Sequence, residues 1–349
     1  MIETALDKSL QTALEAIEVE NELRYTMKGE VRDLETIRLM DPTGGERVYP
    51  EPVAKNRFKE LMTTDIYNQL YMPEPLTDEA KLRPQDAAHF FAALGASNTT
   101  TAGWDDHWQW KGKEKGRVQV SKLGIDFWIS SDRVVPQGGE NGWCAVQLGN
   151  DLKHLQPAFY MVLSDTPPAA IDPNSRILTR FYWNLTPKGA PIYLQKITTE
   201  LNGLRVSFKT KVLSNPAHYA RKDAGVLYID RKDLSRALPG ILRVQKQMMP
   251  YLRNSAPLFT KAIAKGLGFA EDPGNGQSFG ISRANLLAGF FYGELTTSNR
   301  AERPERLAQL FENQGISPSA PYCSIDRLSG YEKLFSALLP LSEKLVSSS

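Results

Sequence analysis

Between Trp104 and Ile229 the chain consists largely of short apolar runs separated by turn residues, and this pattern constrains the fold more than any other feature. Residues 117–120 and 125–129 flank Gly124 and predict a hairpin. Further strands are predicted at residues 143–148, 158–163, 177–185, 206–213 and 224–229. Short strands joined by short turns favour a mainly antiparallel sheet.

Helices are predicted before, among and after these strands. Leu6, Leu10, Leu14, Ile17 and Leu23 recur at helical spacing and predict the first helix. Later helices are predicted at residues 54–71, 86–94, 187–201, 232–252, 281–295, 301–314 and 331–346. The predicted fold class is therefore α+β, with a central mainly antiparallel sheet, flanking helices and a helical N-terminal region.

Residues 97–103 contain four Ser and Thr side chains and end in glycine, which is typical of a linker. This linker predicts two domains. Residues 1–100 would form an acidic helical region that docks a partner, and residues 101–349 would form the α+β domain.

The composition, with 41% hydrophobic and 23% charged residues, is that of a globular protein. No run of about 18 apolar residues occurs, so neither a membrane span nor a membrane partner is expected. The acidic N-terminus does not resemble a secretory signal peptide. Two distant cysteines, Cys144 and Cys323, favour a cytoplasmic protein, and their scarcity argues against a metal site.

The net charge of +2 conceals a strong asymmetry along the chain. Residues 1–95 contain 11 Lys and Arg against 18 Asp and Glu, whereas residues 176–265 contain 17 against 4. Such a concentration of positive charge predicts an anionic ligand for the second segment.

Several of these basic residues fall on predicted strands. Lys209 and Lys211 are two residues apart, so they lie on the same face of their strand. A face with two ammonium groups meets either water or a bound anion, and the pattern alone leaves both open. Nucleic acid is not expected as a partner, because no RNA-binding motif accompanies the aromatic residues 181–183.

Glycines are concentrated between Gly266 and Gly280, just before a predicted helix. A glycine-rich loop at a helix N-terminus presents backbone N–H groups to an anion, but it is equally compatible with a solvent-exposed connection. The segment matches neither a P-loop nor a dinucleotide-binding motif, so no nucleotide cofactor is expected.

The longest motifs are Phe181-Tyr-Trp-Asn-Leu-Thr-Pro-Lys-Gly189, Phe208-Lys-Thr-Lys-Val-Leu213, Tyr219-Ala-Arg-Lys-Asp-Ala-Gly-Val-Leu-Tyr228 and Gly266-Leu-Gly-Phe-Ala-Glu-Asp-Pro-Gly274 with Ser278-Phe-Gly280. With these motifs, roughly residues 104–345 resemble the HopA-type effector family. Relatives in class V lanthipeptide and thioamitide gene clusters are taken to eliminate phosphate from phosphoserine or phosphothreonine of a precursor peptide. The resemblance therefore implies a lyase without a cofactor, which works on a phosphorylated precursor peptide beside a separate Ser/Thr kinase.

A more distant resemblance, to phosphothreonine lyases, concerns Arg180-Phe181-Tyr182 and Lys211. It implies that Lys211 is the base that removes the Cα proton, although Tyr182 stands where those lyases have a histidine acid. The leaving phosphate would be protonated by Tyr182, by His218, or by no residue at all.

Guanidinium groups bind phosphate oxygens in pairs, and ammonium groups bind them as point charges. The predicted phosphate ligands are Arg180, Lys209, Arg221 and Arg283. The predicted contacts to the remainder of the substrate are Lys261, Asp272, Asn275 and Ser278. The alternative to a lyase is a type III secreted effector, or a binding module for phosphopeptides or proteins that has no catalytic activity.

Overall fold

The computed structural model describes residues 6–33, 51–73, 84–138, 142–153, 156, 158–296 and 299–344. Its α-helices are α1 Lys8–Ala16, α2 Glu51–Asp65, α3 Pro84–Ser97, α4 Gly189–Gly203, α5 Leu234–Met248, α6 Phe279–Gly293, α7 Arg303–Asn313 and α8 Leu328–Lys344. Its strands are β1 Ile17–Asn21, β2 Arg24–Met27, β3 Glu30–Asp33, β4 Trp104–Glu114, β5 Arg117–Lys122, β6 Ile125–Ser130, β7 Val134–Pro136, β8 Trp143–Gln147, β9 Asp151–Leu152, β10 Phe159–Leu163, β11 Leu178–Trp183, β12 Phe208–Leu213, β13 Gly225–Asp230, β14 Lys261–Ala264, β15 Leu267–Glu271, β16 Ile316–Ser317 and β17 Ala320–Ser324.

The two largest sheets have seven and five strands. The seven-stranded sheet has the order β14-β15-β11-β13-β12-β10-β9, and the pairs from β11 to β9 are antiparallel. The five-stranded sheet has the order β6-β5-β4-β8-β7 and is antiparallel throughout. The predicted α+β fold with a mainly antiparallel sheet is confirmed. No helix within the described ranges combines the length and the apolarity that crossing a bilayer requires.

The chain divides into two compact units, each built from separate stretches. The first unit comprises the described parts of 1–73, 257–261 and 270–332, and the second comprises those of 74–256, 262–269 and 333–349. The boundary predicted near residue 100 therefore falls inside the second unit. There Thr99 Oγ1 lies 2.7 Å from Thr198 Oγ1, and the Thr101 backbone donates to Asp165 at 2.7 Å, so the segment is held by hydrogen bonds.

In the first unit, the prediction of one helix through Leu23 is wrong beyond Ala16. After α1 the chain turns into the meander β1-β2-β3. Ile17 and Val19 are buried while Glu18 and Glu20 are exposed, an alternation with the period of a strand. The β-branched residues favour that conformation, and the leucine spacing alone concealed it.

In the second unit, α4 packs on one face of the seven-stranded sheet. Tyr193 and Ile197 of α4 are fully buried, and the Tyr193 ring centroid lies 4.8 Å from that of Trp183 on β11. The Tyr193 hydroxyl also lies 2.9 Å from Thr210 Oγ1 on β12. This contact fixes which face of β12 is core, and therefore which face carries the lysines.

The segment predicted as a glycine-rich loop begins as a strand. All five residues of β15 are buried, so the prediction of a loop from Gly266 is wrong up to Glu271. The strand was not predicted because Gly268 has no side chain and interrupts the apolar pattern. The exposed part of the loop begins only at Gly274.

Candidate functional site

One face of the seven-stranded sheet, in the second unit, carries the predicted basic residues. Arg180 on β11 lies opposite Tyr228 on β13, and Tyr228 lies opposite Lys209 on β12. Lys211 follows two residues later on β12. Directly opposed residues in antiparallel strands, and residues two apart on one strand, point to the same face. Arg180, Lys209 and Lys211 therefore share a face, opposite the face that packs on α4.

Lys211 is a partly buried amine in aromatic surroundings. Its Nζ lies 2.9 Å from Gln156 Oε1, 4.2 Å from the ring centroid of Phe159 and 5.8 Å from that of Tyr228. Burial lowers the pKa of Lys211 from 10.5 to about 8, and the positive charge of Arg180 adds to this effect. With this pKa, about a fifth of Lys211 is neutral at pH 7.4.

Two guanidinium groups accompany this amine. Arg180 is buried, with its guanidinium carbon 5.3 Å from the centroid of the Tyr228 ring. Arg221 lies on the loop between β12 and β13, 5.9 Å from the centroid of the Phe159 ring that Lys211 also contacts. The charge of Arg221 likewise lowers the pKa of Lys211. The structure therefore brings Lys211, Arg180 and Arg221 together in one cationic cluster.

Asp223 holds Arg221 in place. Its carboxylate accepts from Arg221 Nε at 2.6 Å and from Nη2 at 2.8 Å, and its side chain is almost fully buried. The charge of Asp223 opposes the fall in the pKa of Lys211. This pair fixes the plane of the Arg221 guanidinium group.

The fourth predicted cation on this face, Lys209, is paired with acidic residues of the same chain. Its Nζ lies 2.8 Å from Asp105 Oδ1 and 2.7 Å from Asp106 Oδ1, both on β4. Burial lowers the pKa of Lys209, but the two carboxylates outweigh burial and raise it overall. Arg176 also binds Asp106, at 2.7 Å. Lys209 thus forms ion pairs with two carboxylates of β4, which the spacing of the sequence did not reveal.

The two predicted acids occupy different environments. Tyr182 is buried on β11 and shares a cross-strand row with Lys211, with Val226 between them. His218 lies exposed on the short 3-10 turn Pro216–His218, and within the described residues it forms no hydrogen bond or ion pair with Lys211. Tyr182 therefore lies in the same cross-strand row as Lys211, and His218 does not.

The predicted loop ligands lie in the first unit, where their side chains form local turns and caps. Asp272 accepts from the backbone N–H two residues later at 2.9 Å, and Asn275 does the same at 3.1 Å. Ser278 caps α6 by accepting from the Ile281 backbone at 3.2 Å. These bonds stabilise the loop and the helix N-terminus.

The remaining two predicted ligands also lie in the first unit. Arg283 is buried in the first turns of α6, where its Nε donates to the Pro321 carbonyl at 2.8 Å and its guanidinium lies 4.7 Å from the Phe279 ring. Lys261 Nζ lies 5.5 Å from the Tyr322 ring. Arg283 thus connects α6 with β17.

The sequence prediction omitted four residues that shape the cluster: Gln156, Phe159, Asp223 and Tyr228. Asp223 had a local signal, since an acid two residues after Arg221 is within reach of it. The positions of Phe159 and Tyr228 beside Lys211 can be inferred only when the strand register is known. No group of His, Cys, Asp and Glu in the described part of the chain is arranged to hold a metal ion.

Comparison with known proteins agrees with the sequence motifs. Residues 151–323 match the model of the HopA1 effector protein family. Two solved structures are similar, both described as effector proteins of Pseudomonas syringae. The one from pathovar tomato strain DC3000 has 16% identity and a TM-score of 0.44, covering 77% of this chain and 95% of its own. The one from pathovar syringae strain 61 has 17% identity and a TM-score of 0.46, covering 77% and 96%.

No curated protein matches the chain in sequence. The matched region contains β10 to β13, and with them Arg180, Lys211 and Arg221. Residues 151–323 of this chain therefore carry the sequence pattern of the HopA1 effector protein family.

Proposed function

We propose that this chain is a lyase that eliminates phosphate from phosphoserine or phosphothreonine in a peptide, with Lys211 as the base. The observation that supports it most directly is the pKa of Lys211, lowered to about 8 by burial and by the charge of Arg180. A general base works best when its pKa lies near the working pH, and an ordinary lysine does not meet that condition. The motifs of the HopA-type family point to the same reaction.

In the proposed reaction the neutral Lys211 amine takes the Cα proton of the phosphorylated residue. The electron pair of the Cα–H bond forms the Cα=Cβ double bond, the Cβ–O bond breaks, and phosphate leaves with that bonding pair. Lys211 is left as an ammonium and returns its proton to water. The products are inorganic phosphate and dehydroalanine from phosphoserine, or dehydrobutyrine from phosphothreonine. The elimination involves no net oxidation or reduction.

Arg180 and Arg221 are the proposed phosphate ligands. Both are close enough to Lys211 to lower its pKa, so a phosphate that bridges the guanidinium groups would have its Cα proton near the amine. They would also neutralise the charge that develops on the leaving group. Tyr182, His218 or no residue at all would protonate that group. The proposed substrate is a phosphorylated precursor peptide of lanthipeptide-type biosynthesis, made by a separate Ser/Thr kinase.

Incubation with a phosphothreonine peptide, without added metal or nucleotide, tests the proposal. Mass spectrometry should detect loss of phosphoric acid, whereas a phosphatase would restore threonine. Lys211→Ala and Lys211→Arg should each lower the rate by about 10²–10⁴-fold, because the first removes the base and the second stays protonated. Lys196→Ala is the matched control, since Lys196 lies on α4, which packs on the other face of the sheet from Lys211, and donates a hydrogen bond to Gln247.

The second candidate function is that of a translocated effector or a phosphopeptide-binding module. The match to the HopA1 effector protein family favours it. The same cationic cluster would then bind a phosphorylated peptide without turnover. Retention of intact phosphopeptide by the wild-type protein, together with tight binding that Lys211→Arg preserves, would favour this function over the lyase.

A further inference from the structure

Two neighbours of the Lys211 amine determine the direction of its N–H bonds. The first is Gln156, in the segment between β9 and β10, and β10 pairs with β12, the strand of Lys211. Gln156 Oε1 lies 2.9 Å from Lys211 Nζ. An amide oxygen can only accept a hydrogen bond, so Lys211 is the donor. One N–H bond of the amine is therefore directed at Gln156.

The second neighbour is the Phe159 ring on β10. Lys211 Nζ lies over this ring, 4.2 Å from its centroid. The face of an aromatic ring carries partial negative charge and attracts N–H groups, so the ring is a weak second acceptor. The Tyr228 ring is further from Nζ, at 5.8 Å, and belongs to β13 on the other side of β12. Phe159 is therefore the closer aromatic partner of the amine.

These two acceptors leave one direction for the lone pair of the neutral amine. Such an amine has two N–H bonds and one lone pair, which point with the Cε–Nζ bond to the corners of a tetrahedron. When Gln156 and Phe159 accept the two N–H bonds, the lone pair takes the remaining corner. A general base must lie within hydrogen-bond reach of the proton that it removes, so the substrate Cα–H bond has to approach from that corner.

Gln156 orients the amine without adding a charge beside it. The ionisable side chains that contact the amine, lie beside it on the sheet or act on its pKa are Arg180, Tyr182, Lys209, Arg221, Asp223 and Tyr228. A carboxylate in the place of the Gln156 amide would stabilise the ammonium form of Lys211, which has no lone pair. A neutral acceptor holds the amine in place and leaves its pKa low.

We propose that Gln156 is a positioning residue, whose amide oxygen holds the Lys211 amine so that its lone pair points at the Cα proton of the phosphorylated residue. The inference rests on the proposed lyase function and adds the direction from which the substrate approaches the base. Gln156 contacts the amine, whereas Arg180 and Arg221 are the proposed phosphate ligands. Loss of the Gln156 amide should therefore lower kcat and leave KM nearly unchanged.

Two variants separate the hydrogen bond from the charge, with kcat and KM measured on a phosphothreonine peptide across a range of pH. Gln156→Glu keeps the shape and an acceptor oxygen, so its rate at high pH should stay within about threefold of wild type. Its carboxylate should move the pH–rate profile about one pH unit or more to higher pH. Gln156→Leu removes the acceptor, so its kcat should fall about tenfold or more at every pH, with KM within about twofold of wild type.

The protonation of Lys211 can also be measured without turnover. Trace acetylation with acetic anhydride modifies the neutral amine, and mass spectrometry follows the modification of Lys211 as pH is varied. The midpoint should lie at higher pH in Gln156→Glu than in wild type. Gln195→Glu is the matched control, because Gln195 is exposed on α4, which packs on the other face of the sheet, and it should leave the midpoint unchanged.

The outcomes distinguish this inference from the proposed function. If the wild type eliminates phosphate and Gln156→Leu keeps the wild-type kcat, the role of Gln156 is wrong and the lyase stands. An acetylation midpoint that Gln156→Glu does not move would also overturn the role, independently of any turnover. No elimination by the wild type would refute the lyase, and the role of Gln156 with it.

Discussion

Lys209 and Lys211 lie two residues apart on one strand face, yet their removal should change stability in opposite directions. Burial and the neighbouring arginine charges destabilise the ammonium form of Lys211 and lower its pKa from 10.5 to about 8. Lys209 is held by Asp105 and Asp106, which raise its pKa. Substitution of each lysine by methionine, which removes the charge and shortens the unbranched side chain by one atom, separates these two environments.

For Lys211 the sign follows from proton linkage. Well below pH 8 the amine is charged in both the folded and the unfolded protein, so folding carries the full cost of burying the ammonium group. Well above pH 10.5 the amine is neutral in both. The wild-type free energy of unfolding therefore gains from this group as pH rises between 8 and 10.5. The lowered pKa corresponds to a destabilisation of the folded protein of about 3 kcal/mol at pH 7 and about 1 kcal/mol at pH 10.

Lys211→Met removes that penalty, together with a hydrogen bond to Gln156 worth about 1 kcal/mol. We therefore expect a net stabilisation of about 1–2 kcal/mol at pH 7 that is lost by pH 10. Lys209→Met leaves two buried carboxylates without their main cation, so we expect a destabilisation of about 3 kcal/mol at both pH values.

Urea unfolding of the wild type and both variants, at pH 7 and at pH 10, measures these differences. The informative quantity is the change in each variant's relative free energy of unfolding between the two pH values. If Lys211→Met destabilises the protein by the same amount at both, the amine is not electrostatically strained and the reasoning is refuted. Equal effects of the two substitutions would refute it as well.

Three further predictions concern single contacts. Arg180→Gln removes a charge that lowers the pKa of Lys211, so the pH–rate profile of phosphate elimination should move to higher pH. Gly280→Ala places a Cβ about 2.4 Å from the Tyr71 ring, so the first unit should lose about 1–3 kcal/mol of stability, measured by urea unfolding. Tyr193→Phe removes a buried hydroxyl contact with β12 and should cost about 1 kcal/mol, measured by the same method.

Four strands of the seven-stranded sheet, β10 to β13, could be predicted because their apolar runs are bounded by turn residues, whereas β9, β14 and β15 were not predicted. The pairing of Lys209 and Lys211 on one face also followed from spacing alone, and the register confirms it. The partners of Lys209 could not be predicted, because Asp105 and Asp106 are about a hundred residues earlier and only tertiary contacts bring them to β12. Sequence spacing therefore gave the face of each lysine but not its electrostatic environment.

The predicted site was only partly a local property of the sequence. Arg221 and Lys211 lie on either side of one turn, so their proximity follows from the connection between β12 and β13. Phe159 joins them through strand pairing, which spacing does not reveal. The hydrogen bonds of the predicted loop ligands are local, since Asp272 accepts from the Gly274 backbone in a turn and Ser278 caps α6.

Chemical rescue of Lys211→Ala by small primary amines is the most direct test that a neutral amine at this position removes the Cα proton. Elimination of phosphate from a phosphothreonine peptide is followed by mass spectrometry as ethylamine is added at several pH values. Elimination should be restored in proportion to the concentration of neutral ethylamine, and guanidine should have no effect. Rescue by guanidine would contradict a role for Lys211 as the base. Rescue that depends on the total concentration of ethylamine, and does not increase with pH as the neutral form increases, would contradict it as well.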